Sequence, residues 1–299
     1  MANTIRNPLV WSAEALERAL GGLSEAGARL GGAADGREAP PALRRIGMED
    51  IRAALRAGWD DFLACRTHAL LLCVIYPLVG LAAWMAAADA RLLPLLFPAA
   101  AGFALIGPAA AIGLYELSRR RERGESPSWI DAFRVIGSPA FGPVFALTLM
   151  LGAVFVAWMA IAAALYAATL GAHAPASLAD LARLALTTPE GWALIAASAA
   201  VGGLLAATVL AASVISFPML LDRDVGLPAA VVASVRFTLL NPGPALAWGA
   251  IVAGALALGM LPLFAGLVVA VPVLGHATWH LYRRATAPEA EPGADKALA

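Results

Sequence analysis

Two histidines near the C-terminal end of the chain have the spacing of a metal site. His276 and His280 are four residues apart, so on a helix both imidazoles lie on one face, as two ligands of one metal ion do. His68 precedes the first long apolar segment and could add a third ligand to a metal or haem site between the first and last helices. The alternative is that all three imidazoles lie at headgroup level, where His, Trp and Tyr are stable as interface anchors.

No cysteine or carboxylate stands at a matching spacing beside these histidines. The sequence therefore favours interface anchors over a metal site and predicts no cofactor. The two cysteines, Cys65 and Cys73, are roughly 12 Å apart along a helix, which is too far for a disulfide. We interpret them as packing residues.

A second group of candidate residues combines acidic and basic side chains at the ends of apolar segments. Its members follow the second, fourth and last of these segments: Glu116, Arg119, Arg120, Asp222, Arg223, Asp224, Arg283 and Arg284. Partly solvated ion pairs of this type are common and individually weak, which favours a ring of ion pairs that fixes how the helix ends meet. The alternatives are the charged mouth of a solute path and a docking surface for a partner protein.

Three prolines are candidate helix kinks: Pro108, Pro218 and Pro272. Pro108 and Pro272 each precede an arginine pair by about 16 Å along a helix, so we expect both near the middle of the bilayer. Each leaves a carbonyl without its helical donor. The functional interpretation is a hinge or a polar notch around a central path, and the alternative, which the sequence favours, is a kink whose carbonyl finds a partner in a neighbouring helix.

The composition indicates what must hold these residues. Charged residues make up 14% of the 299-residue chain, against about 25% in soluble domains, whereas 61% of the residues are hydrophobic. This apolar excess rules out an ordinary soluble enzyme and a disordered chain, and it indicates burial in lipid. The formal net charge of zero argues against binding of nucleic acid.

Long uncharged segments predict an all-α polytopic membrane protein, because about 20 helical residues cover a hydrocarbon core about 30 Å thick. The last uncharged segment, 237–282, is too long for one helix and contains Gly259 and Pro262, which predict a tight turn. We expect six transmembrane helices in three hairpins, at about 69–88, 94–117, 141–169, 191–221, 244–260 and 262–282.

Basic residues lie mostly on one side of these predicted spans, and the other side has only Arg91 and Arg183. By the positive-inside bias, both termini face the cytoplasm. Residues 1–8 contain no apolar core of a signal peptide, so we expect a multi-pass protein of a bacterial inner membrane whose first span directs insertion. The predicted domains are a flexible cytoplasmic tail over 1–46, a transmembrane domain over 47–285 and a flexible cytoplasmic tail over 286–299.

Amphipathic stretches recur before the odd-numbered spans. The first begins at about Met48, and the others are 128–134 and 229–236. We interpret the chain as three parallel units, each a cytoplasmic interfacial helix followed by a transmembrane hairpin. In the first stretch the apolar side chains that recur at helical spacing are Ile51, Leu55, Trp59, Phe62 and Leu63.

Sequence motifs of known catalytic sites are missing from the chain. No Asp, Glu, Lys or Arg lies near the middle of a predicted span, which disfavours an ion-coupled pump. The sequence has no Walker phosphate loop, no HExxH zinc motif and no GxSxG nucleophile elbow. We therefore expect a protein that is not an enzyme.

Several separated motifs resemble one family. They are RAGWDDF at 56–62, GFALIGP at 102–108, YELSRR at 115–120, ERGE at 122–125, PMLLDRDV at 218–225, Asn241-Pro242 and GHATWHLYR at 275–283. In this order along 48–285 they resemble the bacterial integral membrane proteins of the domain of unknown function 2189 family. The resemblance implies a six-helix inner-membrane protein and transfers no catalytic residue.

These observations favour a non-enzymatic accessory, assembly or scaffold component of a membrane complex. Its expected partners are the lipid bilayer and a membrane protein, without nucleic acid. The alternative is a small-solute channel or facilitator whose kinked even-numbered helices surround the path. A third function class is a haem- or metal-binding membrane protein that uses His276 and His280.

Overall fold

The structure, a computed structural model, describes residues 38–65, 73–86, 93–171 and 175–286. These residues form helices and no strand, so the all-α prediction is confirmed for them. His68 and most of both predicted tails lie outside the described residues. The helices are α1 Met48–Ala64, α2 Ile75–Ala86, α3 Leu93–Ala110, α4 Ile112–Glu122, a 3₁₀ helix Trp129–Gly137, α5 Phe141–Thr169, α6 Leu178–Thr187, α7 Pro189–Ser213, α8 Ser216–Asp222, α9 Leu227–Leu240, α10 Pro242–Met260 and α11 Leu267–Thr286.

Three parts of the described chain are both long and apolar enough to cross a membrane: Phe141–Thr169, Pro189–Asp222 and Pro242–Met260. They correspond to the third, fourth and fifth predicted spans. The second predicted span is divided between α3 and α4, and part of the first lies outside the described residues. The last helix, α11, ends in polar and charged residues. The arrangement of six spans in three hairpins therefore stays a prediction.

The second predicted span is interrupted just after Pro108. α3 contains this proline and ends at Ala110, and α4 follows. In a continuous helix the Leu114 N–H would donate to Ala110, but it donates to the Ala111 carbonyl at 2.9 Å. The Ala110 carbonyl instead accepts a hydrogen bond from the Tyr76 hydroxyl at 2.9 Å. A side chain of α2 thus satisfies the backbone group that the interruption frees.

A second interruption separates α7 from α8 and lies just before Pro218. The hydroxyl of Ser216 at this point lies 2.5 Å from the carbonyl of Ala212 in α7. The same hydroxyl lies 3.1 Å from the carbonyl of Ala230 in α9, so it connects the interruption to the next helix. Pro272, by contrast, lies inside the continuous helix α11.

α1 packs along α11, although the two helices stand near opposite ends of the chain. The buried face of α1 includes Ala54 and Gly58. A Cβ atom at Gly58 would lie 2.5 Å from the backbone nitrogen of Ala277, so the two backbones are in direct contact there. Ile51 and Phe62 of the predicted apolar face are also buried, whereas Trp59 and Leu63 are nearly half exposed.

A short helix precedes each odd-numbered predicted span, and each of these helices packs on a different even-numbered predicted span. α1 contacts α11, the 3₁₀ helix contacts α4, and α9 contacts α7 and α8. α4, α8 and α11 also contact one another in all three pairs. This end of the molecule carries residues 116–134 and 222–224, and we call it the charged end.

Candidate functional site at the charged end

Asp61 of α1 is the centre of a polar cluster between α1, α4 and α11, and only 5% of its surface is exposed. Its Oδ2 atom accepts hydrogen bonds from Ser118 Oγ at 2.6 Å and from His280 Nε2 at 2.8 Å. Its Oδ1 atom pairs with Arg121. Burial by itself raises the pKa of Asp61, but the hydrogen bonds from His280 and Ser118 outweigh burial and hold the pKa below its usual value.

His276 joins this cluster through Ser118. Its Nδ1 atom lies 2.7 Å from Ser118 Oγ, and its ring is fully buried. Because Ser118 has one hydroxyl proton and donates it to Asp61, we assign a proton to Nδ1 of His276. A chain of two hydrogen bonds therefore runs from His276 through Ser118 to Asp61.

The two histidines of the candidate metal site each have a protein partner. His276 bonds to Ser118 and His280 bonds to Asp61. Within the part of the chain that the structure describes, no three His, Cys, Asp or Glu side chains are grouped to hold a metal ion. His68, the third candidate ligand, lies outside that part.

Ser, His and Asp also form hydrolytic triads, in which the imidazole lies between the hydroxyl and the carboxylate. Here the hydroxyl of Ser118 lies between His276 and Asp61, so the imidazole does not stand between the hydroxyl and the carboxylate as it does in a triad. Ser118 is also only 1% exposed. The geometry suits a hydrogen-bonded cluster that joins α1, α4 and α11, and it does not suit Ser118 as a nucleophile.

Glu116 is the buried centre of the predicted group of charges on α4, with 1% of its surface exposed. Its carboxylate binds Arg119 at 2.8 Å and Arg120 at 2.7 Å. Arg119 also donates to the backbone carbonyl of Leu221 in α8 at 2.8 Å. Arg120 lies 3.6 Å from Asp131 in the 3₁₀ helix. One buried carboxylate thus orients two arginines toward two other helices.

Asp222 and Glu122 connect α11 to α8 and α4. The hydroxyl of Tyr282 donates to Asp222 at 2.8 Å, and the indole N–H of Trp279 donates to Glu122 at 3.0 Å. Arg283 lies 2.9 Å from Glu122 and 3.5 Å from Asp222. Arg283 therefore bridges carboxylates of two different helices.

The remaining members of the predicted group lie farther out. Arg284 is 3.4 Å from Asp50 of α1, and Arg223 is 3.8 Å from Glu38. Asp224 has an exposed side chain, and its backbone carbonyl accepts a hydrogen bond from the Glu38 N–H at 2.9 Å. Every member of the group except Asp224 uses its side chain in an ion pair.

The central residues of the polar cluster, Asp61, Ser118 and Arg121, are not among the candidate residues predicted from the sequence. A signal for Asp61 was present, because this residue follows Ala54 and Gly58 at helical spacing and so shares their face. A carboxylate on a face of small residues indicates a close contact with another helix that must supply polar partners.

A cavity of about 390 Å³ lies beside the polar cluster, among α2, α3, α4, α7, α10 and α11. Pro108 lines it, and so does Tyr115. Among the described residues that line it we find neither Pro272 nor the rim carboxylates Glu116 and Asp222. The cavity therefore stops at Tyr115, one residue before the ion pairs of the charged end.

Residues 96–222 match the family described as "Predicted integral membrane protein (DUF2189)". The match includes α4 and α8, and it confirms the resemblance for the motifs between 102 and 125 and for the start of the motif at 218–225. No curated protein and no solved structure matches the chain.

Proposed function

We propose that this integral membrane protein, which matches the DUF2189 family over residues 96–222, is a non-enzymatic accessory, assembly or scaffold component of a membrane complex. The observation that carries the proposal is the closed network of ion pairs at the charged end. Asp61, Glu116 and Asp222 each bind at least two side chains of the protein itself. Buried polar groups that are paired in this way make a helix junction rigid. Among the described residues of this end, only Nε2 of His276 and Nε of Arg223 are buried without a hydrogen-bond partner.

We further propose that the bundle has six membrane-spanning helices in three hairpins. α2, α3 with α4, and α11 would be the first, second and sixth spans, in addition to the three membrane-length parts. The packing of α1 on α11, of the 3₁₀ helix on α4 and of α9 on α8 supports three related units. In such an arrangement each interfacial helix contacts the hairpin of another unit, and the last unit contacts the first.

In this proposal the charged end faces the cytoplasm of a bacterial inner membrane. Its arginines support this orientation by the positive-inside bias. Exposed apolar side chains at the same end support an interfacial position, because aromatic rings are stable at headgroup level. These side chains are Trp59, Trp129, Ile130 and Phe133.

The ion pairs of the charged end do not cover the tip between α4 and the 3₁₀ helix, and this tip is the surface on which a partner protein would dock. Residues 123–126 are exposed, and Gly124 has a φ of 77°, which permits a sharp turn. Arg120 binds Glu125 at 2.9 Å and lies 3.6 Å from Asp131, so it fixes both sides of the tip. We therefore expect a projection that keeps its shape when a partner docks.

Photo-crosslinking in native membranes tests this function. A photoreactive amino acid at Arg123 or at Ser126 is expected to give one discrete protein adduct. The matched control is Leu204, which is 69% exposed on the membrane-length helix α7 and should react with lipid. Lipid adducts alone at the tip, or catalytic turnover by the purified protein, would contradict the proposal.

A small-solute facilitator is the second candidate, because the cavity reaches Pro108 within the second predicted span. The end of the cavity opposes it, since Tyr115 is only 1% exposed and is followed by the ion-paired Glu116. We expect no solute flux into liposomes that contain the purified protein alone. Flux that Pro108→Ala abolishes would favour the facilitator over the scaffold.

A further inference from the structure

The cavity has the size of a ligand site, because pockets that bind small molecules usually enclose about 300–1,000 Å³ and this one encloses about 390 Å³. Most of its lining residues belong to α3, α7, α10 and α11. α7 and α10 belong to the membrane-length parts of the chain. The cavity is therefore surrounded by helices that a hydrocarbon layer would cover.

Small residues keep this space open. A Cβ atom at Gly107 or at Gly203 would meet no atom within 4 Å, although both glycines line the cavity. A Cβ at Gly249, in contrast, would lie 2.7 Å from the side chain of Leu210, so α7 and α10 are in contact at that level. The cavity is thus a space within packed helices. The small lining residues of α7 and α10 are Gly203, Ala206, Ala207, Gly249, Ala250 and Ala253.

The described residues that line the cavity carry no charge, since no Asp, Glu, Lys, Arg or His is among them. The hydroxyl of Ser213 donates to the Val209 carbonyl, and that of Thr278 donates to the Leu274 carbonyl, each at 2.7 Å. These donors are therefore already used within their own helices. A charged ligand would lose its hydration here without gaining a counter-charge, so the lining selects an uncharged apolar ligand.

The cavity opens between α7 and α10. Gly203 and Ala206 of α7 line it and are exposed, as are Leu246 and Ala250 of α10, whereas the described lining residues of α3 and α11 are buried or half-buried. Tyr115, at the opposite side, is buried. Because the exposed lining residues stand on membrane-length helices, a ligand would enter sideways from the lipid and not from water.

From this geometry we propose that the cavity binds the hydrocarbon chain of an uncharged lipid, which enters from the bilayer between α7 and α10. The hydrocarbon chain of the lipid fills the space that Gly107 and Gly203 leave open, and the end of that hydrocarbon chain lies toward Tyr115 and Thr278. Such binding would let the accessory protein hold or sense a membrane-dissolved molecule beside the junction of α4 and α11. The inference concerns the cavity alone and does not depend on a docked protein partner.

Photolabelling of the full chain in phosphatidylcholine nanodiscs tests the inference. The probe is the methyl ester of a fatty acid that carries a diazirine on its chain, and mass spectrometry locates the labelled residues. We expect labels on the cavity-lining parts of 203–214 and 246–256. Gly107→Leu and Gly203→Leu should each reduce this labelling by about tenfold or more, since the new side chains occupy the cavity.

The matched control is Gly152→Leu in α5. A Cβ at Gly152 also meets no atom within 4 Å, but this glycine does not line the cavity, so labelling should be unchanged. Excess unlabelled ester should remove the labels in the cavity and spare those at the outward-facing Leu204. This competition keeps the test decisive if a leucine variant fails to fold.

Two other probes identify the lipid that supplies the hydrocarbon chain. The diazirine fatty acid with a free carboxylate should label the cavity at least about tenfold less than its ester. The third probe is a phosphatidylcholine that carries the diazirine on an acyl chain. It should label the cavity only if a bilayer phospholipid, and not a neutral lipid, supplies the hydrocarbon chain. Labelling of the cavity by this probe would overturn the proposed uncharged ligand. Labels confined to outward residues such as Leu204 and Leu258, or full labelling of the cavity in folded Gly107→Leu and Gly203→Leu variants, would overturn the site itself.

Discussion

The Nε2 atom of His280 lies 2.8 Å from Oδ2 of Asp61, although 219 residues separate the two in the chain. Asp61 is in α1, before the first predicted span, and His280 is in α11, the last helix. The contact therefore joins the beginning and the end of the described bundle. Ser118 and Arg121 of α4 bind the same carboxylate, so three helices meet at one side chain.

Asp61→Asn is expected to weaken this junction, because the amide keeps the shape of the side chain but loses the charge that Arg121 and His280 face. Hydrogen bonds to charged groups contribute about 1.5–3 kcal/mol each. We expect the free energy of unfolding of the purified protein in detergent to fall by about 2–3 kcal/mol. The control is Asp60→Asn, since Asp60 is exposed and its substitution should change that free energy by less than about 0.5 kcal/mol. Equal effects of the two substitutions would contradict the role of Asp61.

Acid is expected to release α1 from α11. The pKa values of Asp61 and Asp50 lie below the usual value, because their hydrogen bonds from His280, Ser118, Gly47 and Arg44 outweigh the opposing effect of burial. A carboxyl group with a lowered pKa stabilises the folded state fully above its unfolded pKa of about 3.9, and this stabilisation is lost as the pH falls through the lowered value.

The free energy of unfolding, measured as a function of pH, should therefore be nearly constant above about pH 5 and should fall below about pH 4. Asp61→Asn removes one of the two titrating groups, so the variant should lose less stability over the acid range than the wild type. A wild type whose stability does not change between about pH 5 and pH 3 would show that these carboxylates are not held in the paired state.

The bounds of several helices could be predicted from the sequence, because hydrophobic periodicity and helix-breaking residues are features of neighbouring residues in the chain. The helix from Met48 and the break near Gly259, where α10 ends at Met260, follow from residues within one turn of each feature. The pairing of Asp61 with His280 depends on which helices pack together, and no local pattern encodes that choice. The contact of α1 with α11 was not predicted from the sequence either, because the two backbones approach closely at Gly58 and side-chain size decides the contact there.

Gly58→Ala tests the close approach of α1 to α11. The new Cβ would lie 2.5 Å from the backbone nitrogen of Ala277, and a backbone atom cannot move aside as the end of a flexible side chain can. Overpacking of this type costs about 1–3 kcal/mol, which exceeds the gain of up to about 1 kcal/mol from replacing a helical glycine. We expect the free energy of unfolding to fall, and we expect Gly152→Ala, where a Cβ meets open space, to raise it slightly. A gain in stability at both positions would contradict the contact.

Reporter tags test the proposed direction of the charged end. Three predicted spans lie between position 174 and the C-terminus, and an odd number of crossings puts the two points in opposite compartments. A tag after Ser126, at the tip beside α4, should report the same compartment as a C-terminal tag, and the positive-inside bias makes that compartment the cytoplasm. Tags at 174 and at the C-terminus that reported one compartment would require an even number of crossings, and the six-span arrangement would then have to be abandoned. A tag after Ser126 that reported the outer compartment would rule out a cytoplasmic docking tip.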